Sequence, residues 1–158
     1  MKAKDQLVLL DNLDRAILKI LQQDAKQTYT EIGRQLNLAH STVYDRIKRM
    51  EGQGIIKKYA LVVDPKKAGV RFLTAILTIF TDPKESEKVA ERLAEHRQVL
   101  EVFTSLSEEL LIIAKIVAKD QEELHSFIAQ HVAPLPGVLR IRTSIITRRY
   151  KEEHYSIW

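Results

Sequence analysis

Residues 28–56 read TYTEIGRQLNLAHSTVYDRIKRMEGQGII. Thr28 and Glu31 have the spacing of a capping box, in which each side chain reaches the other's backbone N–H. A short helix is expected to follow to about Leu36, with Ile32 and Leu36 turned inward. Asn37 is a suitable stop, since asparagine tolerates a left-handed backbone. A second helix is expected from Ala39 or His40 to about Gln53, with Gly54 as its C-terminal cap. Val43, Ile47 and Met50 fall at i, i+4 and i+7 and share one face. At about 100° per residue, Ser41, Asp45, Lys48 and Arg49 lie opposite that face. Thr42 and Tyr44 flank them, and Arg46 sits nearer the buried stripe.

A polar helix face is often only a solvated face. Here its start carries short hydroxyl residues, which let a helix approach a base edge. Its cations come late, where phosphates would flank an inserted helix. A capped short helix precedes it across a tight turn, the bihelical geometry of DNA readers. The expected fold of this stretch is therefore a helix-turn-helix, and double-stranded DNA the expected partner. Base edges usually meet the first residues of a recognition helix, which points to His40, Ser41 and Thr42. Asp45 either accepts from a cytosine amine or orients Arg49 one turn on. Arg46, Lys48 and Arg49 are the candidates for phosphates, with Tyr44 beside them.

Upstream, residues 11–24 predict another helix. Asp11 caps it, Asp14 sits three residues on, and Leu13, Ile17, Leu18 and Leu21 form an inward stripe. Downstream, IIKKYALVV (55–63) reads as a strand from its β-branched and aromatic content. Its Lys57 and Lys58 either touch the DNA backbone or are solvated. Asp64-Pro65 ends that strand, which divides the chain into residues 1–64 and 65–158.

The second part changes pattern. Strands are expected at 71–81, 99–106, 109–117 and 138–147. Helices are expected from Asp82-Pro83 to about His96, with proline at the first helical position, and after a second capping box at Asp120 and Glu123. APLPG (133–137) ends the latter. Strand, helix, strand, strand, helix, strand is the ferredoxin-like order, and the fold class is α+β. Two helices cover one sheet face, yet the first and third strands are apolar on both sides. The open face is therefore expected to be buried against a second copy, a pairing that also gives a groove reader a defined half-site spacing.

The totals agree with this without deciding it. At 158 residues the chain has room for two small domains. The basic excess, 25 − 21 = +4, is modest. There is no cysteine, which excludes disulfides and thiolate metal sites and fits a reducing cytoplasm. No apolar run approaches the roughly 20 residues of a membrane span, and no targeting segment is legible. The five histidines, His40, His96, His125, His131 and His154, show no ligand pairing on one helix face. No glycine loop cradles a phosphate, and no nucleophile–base pair stands out. Neither an enzyme nor a cofactor or metal is expected.

Three stretches carry a resemblance: LDNLDRAIL (10–18), YTEIGRQLNLAHSTVYDRIKRMEGQGIIKKY (29–59) and LPGV (135–138). In this order they resemble the Lrp/AsnC, or feast/famine, family of transcription regulators across nearly the whole chain. The resemblance implies an N-terminal DNA-binding domain, a connecting strand and a C-terminal βαββαβ sensor domain. It also implies dimers paired through their sensor sheets, often built into tetramers or octamers, and an amino-acid effector bound between sensor domains. Two departures stand out. Ala39 replaces the usual Ser or Thr before the recognition helix, so a capping oxygen must come from a neighbour such as Ser41. In TSLSEEL (104–110), Leu106 stands where many members have a glycine and Glu109 where they have an aspartate. Glycine lets a ligand approach the backbone; leucine fills that space. The effector pocket is then either absent or suited to a different or smaller ligand, with Ser107 and Glu109 as its polar contacts or simply a polar hairpin tip. The other reading of the chain is an architectural protein that wraps DNA with little sequence preference.

Overall fold

The computed structural model describes residues 9–65, 67–106 and 110–151. Contacts divide them into two compact units, residues 9–62 and Val63–Lys151.

The first unit holds three helices, α1 (Asn12–Gln23), α2 (Tyr29–Leu36) and α3 (His40–Gly52). Each begins and ends for a local reason. Asp11 caps α1 in a reciprocal box with Asp14, and Thr28 caps α2 in one with Glu31. Asn37 closes α2 in the left-handed conformation, at φ 54°. The end of α3 is a Schellman turn: the Ile55 N–H donates to the Met50 carbonyl and the Gly54 N–H to the Glu51 carbonyl. That geometry needs the positive φ of 70° which Gly54 supplies. The start of α3 departs from expectation. Ala39 occupies the cap position and no side chain, Ser41 included, caps the helix. The three helices close on Ile17, Leu18, Leu21, Ile32, Val43, Ile47 and Met50.

The stretch 55–63, expected as a strand, forms none within this chain. Among the described residues its unit has no sheet to supply an edge, and a lone strand leaves its N–H and C=O groups to water. Leu61, Val62 and Val63 are 82%, 72% and 56% exposed.

The second unit runs β1 (Leu73–Thr81), α4 (Ser86–Ala94), β2 (Val99–Leu106), β3 (Leu110–Ala118), α5 (Gln121–Phe127) and β4 (Val138–Ile145). Its four strands pair antiparallel in the order β2-β3-β1-β4, the ferredoxin-like βαββαβ arrangement. The core lies between the sheet and its helices: Ala75, Leu77 and Ile79 of β1 and Ile112, Ala114 and Ile116 of β3 meet Val89, Leu93, Leu124 and Phe127.

Four details differ from the sequence expectation. Pro83 does not open a helix. Asp82 accepts from the Lys84 N–H in a turn, and α4 begins only at Ser86 and ends at Ala94. At α5, Asp120 caps as expected, but Glu123 accepts from the Lys119 N–H rather than completing the box. A π-helical turn, Ile128–Val132, then prolongs the helix to the break at 133–137. There Gly137 sits at φ 91°, and a Cβ on it would come 2.4 Å from Glu85 Cβ. Last, β4 ends at Ile145.

On the face away from α4 and α5 the alternate residues of the same strands remain partly open. They are Ile76, Thr78 and Phe80 of β1, Leu111, Ile113 and Val117 of β3, and Phe103 of β2. Polar groups interrupt this face, one of them on the central strand β3. Arg140 lies 3.8 Å over the Phe80 ring, and Lys115 pairs with Glu101 at 2.6 Å.

Candidate nucleic-acid interface

The periodicity of α3 sorts its side chains as its sequence implies. Val43, Ile47 and Met50 are fully buried, so this face of α3 is turned into the helical core. His40, Ser41, Tyr44, Asp45, Lys48 and Arg49 are exposed, while Thr42 and Arg46 are half-buried. The turn from α2 to α3 is tight because Gly33 has no side chain. A Cβ there would stand 2.6 Å from the Leu38 carbonyl oxygen, and the Leu38 N–H donates to the Gly33 carbonyl at 2.8 Å.

An aromatic group backs the start of α3. The Tyr29 ring lies 5.8 Å from His40 and 5.6 Å from Tyr44. These contacts hold the two rings on α3 against α2 and leave Ser41 free in front. Nothing in the spacing of 28–44 singled out Tyr29, which is half-buried against the helical core; an aromatic at the first position of α2 was the available signal.

The cations are less free than their exposure suggests. Arg46 donates to Asp11 at 2.6 Å and to Asp14 at 2.8 Å. Arg49 donates to the other oxygen of Asp14, not to Asp45. Lys48 pairs with Glu51 at 2.7 Å and lies 5.9 Å from the Tyr44 ring centre. Glu51 also accepts from the Tyr59 hydroxyl at 3.0 Å. These contacts shift the proton affinities of the groups involved. The Asp11 carboxyl is held below its ordinary range, first by the Asp14 backbone N–H and then by Arg46. The Lys48 ammonium is raised, chiefly by its hydrogen bond to Glu51. Burial, followed by the bond to Glu51, pushes the Tyr59 hydroxyl up to about 12. Arg46 thus ties α3 to α1, a role that its position near the buried stripe hinted at. Asp14, only 1% exposed, was read from sequence merely as a first-turn acid.

Of the residues singled out as effector contacts, Leu106 ends β2, while Ser107 and Glu109 lie outside the described residues. So does His154. Among the described residues no three His, Asp or Glu side chains converge as a metal site. No described helix is long and apolar enough to cross a membrane.

Comparison with known proteins agrees with this geometry. Residues 10–51 match the AsnC-type helix-turn-helix domain, and residues 74–155 match the Lrp/AsnC ligand binding domain. The chain is 35% identical over 143 residues to the HTH-type transcriptional regulator LrpA of Pyrococcus horikoshii, covering 90% of this chain and 100% of that one. It is 36% identical over 145 residues to the HTH-type transcriptional regulator FL11 of the same organism, covering 92% and 94%. Two solved structures share the fold. Escherichia coli AsnC superposes with a TM-score of 0.80 at 23% identity, over 94% of this chain and 99% of that one. A transcriptional regulator of Neisseria meningitidis in complex with L-Met superposes with a TM-score of 0.79 at 23% identity, over 92% and 94%. The matches describe a regulator rather than an enzyme, and they cover both units in order. This chain belongs to the Lrp/AsnC family of transcriptional regulators, with an AsnC-type helix-turn-helix followed by an Lrp/AsnC ligand-binding domain.

Proposed function

We propose that this regulator reads specific duplex sequences by laying α3 in the major groove, as paired copies joined through their C-terminal sheets. The observation that carries the reading is the division of α3: three apolar side chains fully buried, and Ser41 exposed at the start of the helix with Thr42 half-open beside it. His40, Ser41 and Thr42 face base edges. Tyr44 and Asp45 lie alongside. Arg46, Lys48 and Arg49 take phosphates with whatever N–H groups their carboxylate partners leave open; an arginine has five.

Pairing follows from the sheet. A sheet face carries Ile76, Phe80, Leu111, Ile113 and Val117 around Thr78 and the Lys115–Glu101 pair, and an apolar set of this kind suits burial against another surface. The extended 55–63 segment, rich in β-forming residues, suits pairing with its counterpart in a second copy. Assembly into tetramers or octamers would extend the same scheme. The ligand-binding domain takes a small effector, for which an amino acid is the leading class, since a Neisseria structure of this fold holds L-Met. The 104–110 loop, with Leu106, Ser107 and Glu109, is its proposed lining. The protein works in the cytoplasm, where its DNA is.

Non-specific wrapping is less well supported. The three cations of α3 are each engaged by a carboxylate, which lowers the bare positive charge that such binding relies on.

The test is selection of target sites from random duplex DNA by the full chain and by the Ser41→Ala and Thr42→Val variants. The wild-type chain is expected to enrich one sequence, and the variants to shift the preferred base at one or two positions. Enrichment of no sequence by the wild type, or the same sequence from all three proteins, would contradict the placement.

A further inference from the structure

We propose that Asp14 is the positioning residue of the recognition helix: it sets the rotation of α3, and thereby base discrimination. The inference rests on the placement of α3 in the groove.

The argument begins with what apolar packing leaves undecided. Val43, Ile47 and Met50 bury one face of α3, but burial is non-directional. A helix can roll several degrees over such a face at little cost, and a roll at the helix start moves Ser41 and Thr42 off a base edge. Hydrogen bonds between charged groups are directional and short. Asp14 supplies them at two points one turn apart. One oxygen accepts from Arg46 Nη1 at 2.8 Å and the other from Arg49 Nη2. The second oxygen also accepts from the Asp11 N–H at 3.2 Å, and Asp11 in turn receives the Asp14 N–H at 2.8 Å and Arg46 at 2.6 Å. The first turn of α1 is therefore a rigid receptor for both arginines. Because Asp14 is 1% exposed, losing an arginine leaves a desolvated carboxylate short of a charged partner, which is costly. The pins hold wherever the helix is folded.

The same contacts decide what the two arginines offer to DNA. Arg49 is 46% exposed while bonded to Asp14, so its outer N–H groups can meet a phosphate without releasing the carboxylate. A phosphate on Arg49 would then lie at a set distance from Ser41. The guanidinium acts as a spacer between backbone and base contacts as well as a charge.

The test compares two duplexes, one selected by the wild-type chain from a random pool and one unrelated. Asp14→Asn keeps the shape but places an amide N–H₂ against guanidinium donors. It is expected to cut the ratio of specific to unrelated affinity by about tenfold, the size of one lost base contact. Affinity for the unrelated duplex should hold or rise, since a negative charge is removed. A parallel fall of both affinities, or an unchanged ratio, would overturn the proposal. Arg49→Lys decides the matter if Asp14→Asn fails to fold. It keeps the charge for a phosphate but not the fork that reaches Asp14, so the ratio should again fall; an unchanged ratio would make Arg49 a simple phosphate contact. If the wild type itself selects no duplex, the groove placement fails first, and separately.

Discussion

Gly33→Ala is expected to weaken DNA binding at least tenfold, a loss of about 1.4 kcal/mol or more, while the C-terminal unit stays folded. The added Cβ would stand 2.6 Å from the Leu38 carbonyl oxygen. The oxygen is backbone and a Cβ has no torsion that could turn it away, so nothing can swing aside. Relief must come from opening the α2–α3 turn, which carries α3 away from its packed setting. Overpacking of this kind costs about 1–3 kcal/mol, sometimes more. Alanine recovers about 1 kcal/mol of helix propensity at most. The remainder matters because a unit of this size has only a few kcal/mol of stability to lose. Denaturant unfolding followed at the N-terminal unit, together with a binding titration, measures both effects. Wild-type stability and affinity in the variant would show that the turn does not depend on glycine.

Ile113→Glu is expected to turn a dimer into a folded monomer and to cost more in DNA affinity than any single change on α3. Ile113 lies opposite Thr78 of β1 and Phe103 of β2, on the face that α4 and α5 leave open. In a single copy the new carboxylate stays near water and costs little. Between two sheets it would be buried without a partner, twice in a symmetric pair, at several kcal/mol each. Loss of pairing then removes the gain from binding two half-sites together, which can reach about 10²–10⁴-fold. Sedimentation gives the mass and circular dichroism the fold. An unchanged mass in Ile113→Glu would place the pairing surface elsewhere.

Much of this was legible in residues alone because local rules and tertiary context agree there. Asp11, Thr28, Asn37 and Gly54 end or begin helices for reasons confined to a few neighbours. Val43, Ile47 and Met50 announce their face by spacing. The four strands show in their apolar, β-branched composition and in the turns between them. What stayed hidden depends on partners distant in sequence. Asp14 meets Arg46 and Arg49 only because α1 folds across α3, so a sequence reading assigns both arginines to phosphates and offers Arg49 only Asp45 as a partner. Gly33 stands inside a helix where glycine costs stability, and that cost was its only signal; its reason is a carbonyl five residues on. The 55–63 stretch has strand composition without an edge to pair with. The π turn at Ile128–Val132 and the late start of α4 turn on backbone hydrogen bonds that composition does not announce.

Hydroxyl-radical footprinting of the full chain on a duplex selected from random sequence tests the central claim most directly. Two copies that each present α3 to a major groove should give two short protected patches on one face of the helix. Their centres should lie about 10 base pairs, or a small multiple of that, apart. Unbroken protection that spreads with protein concentration, or a single isolated patch, would contradict it.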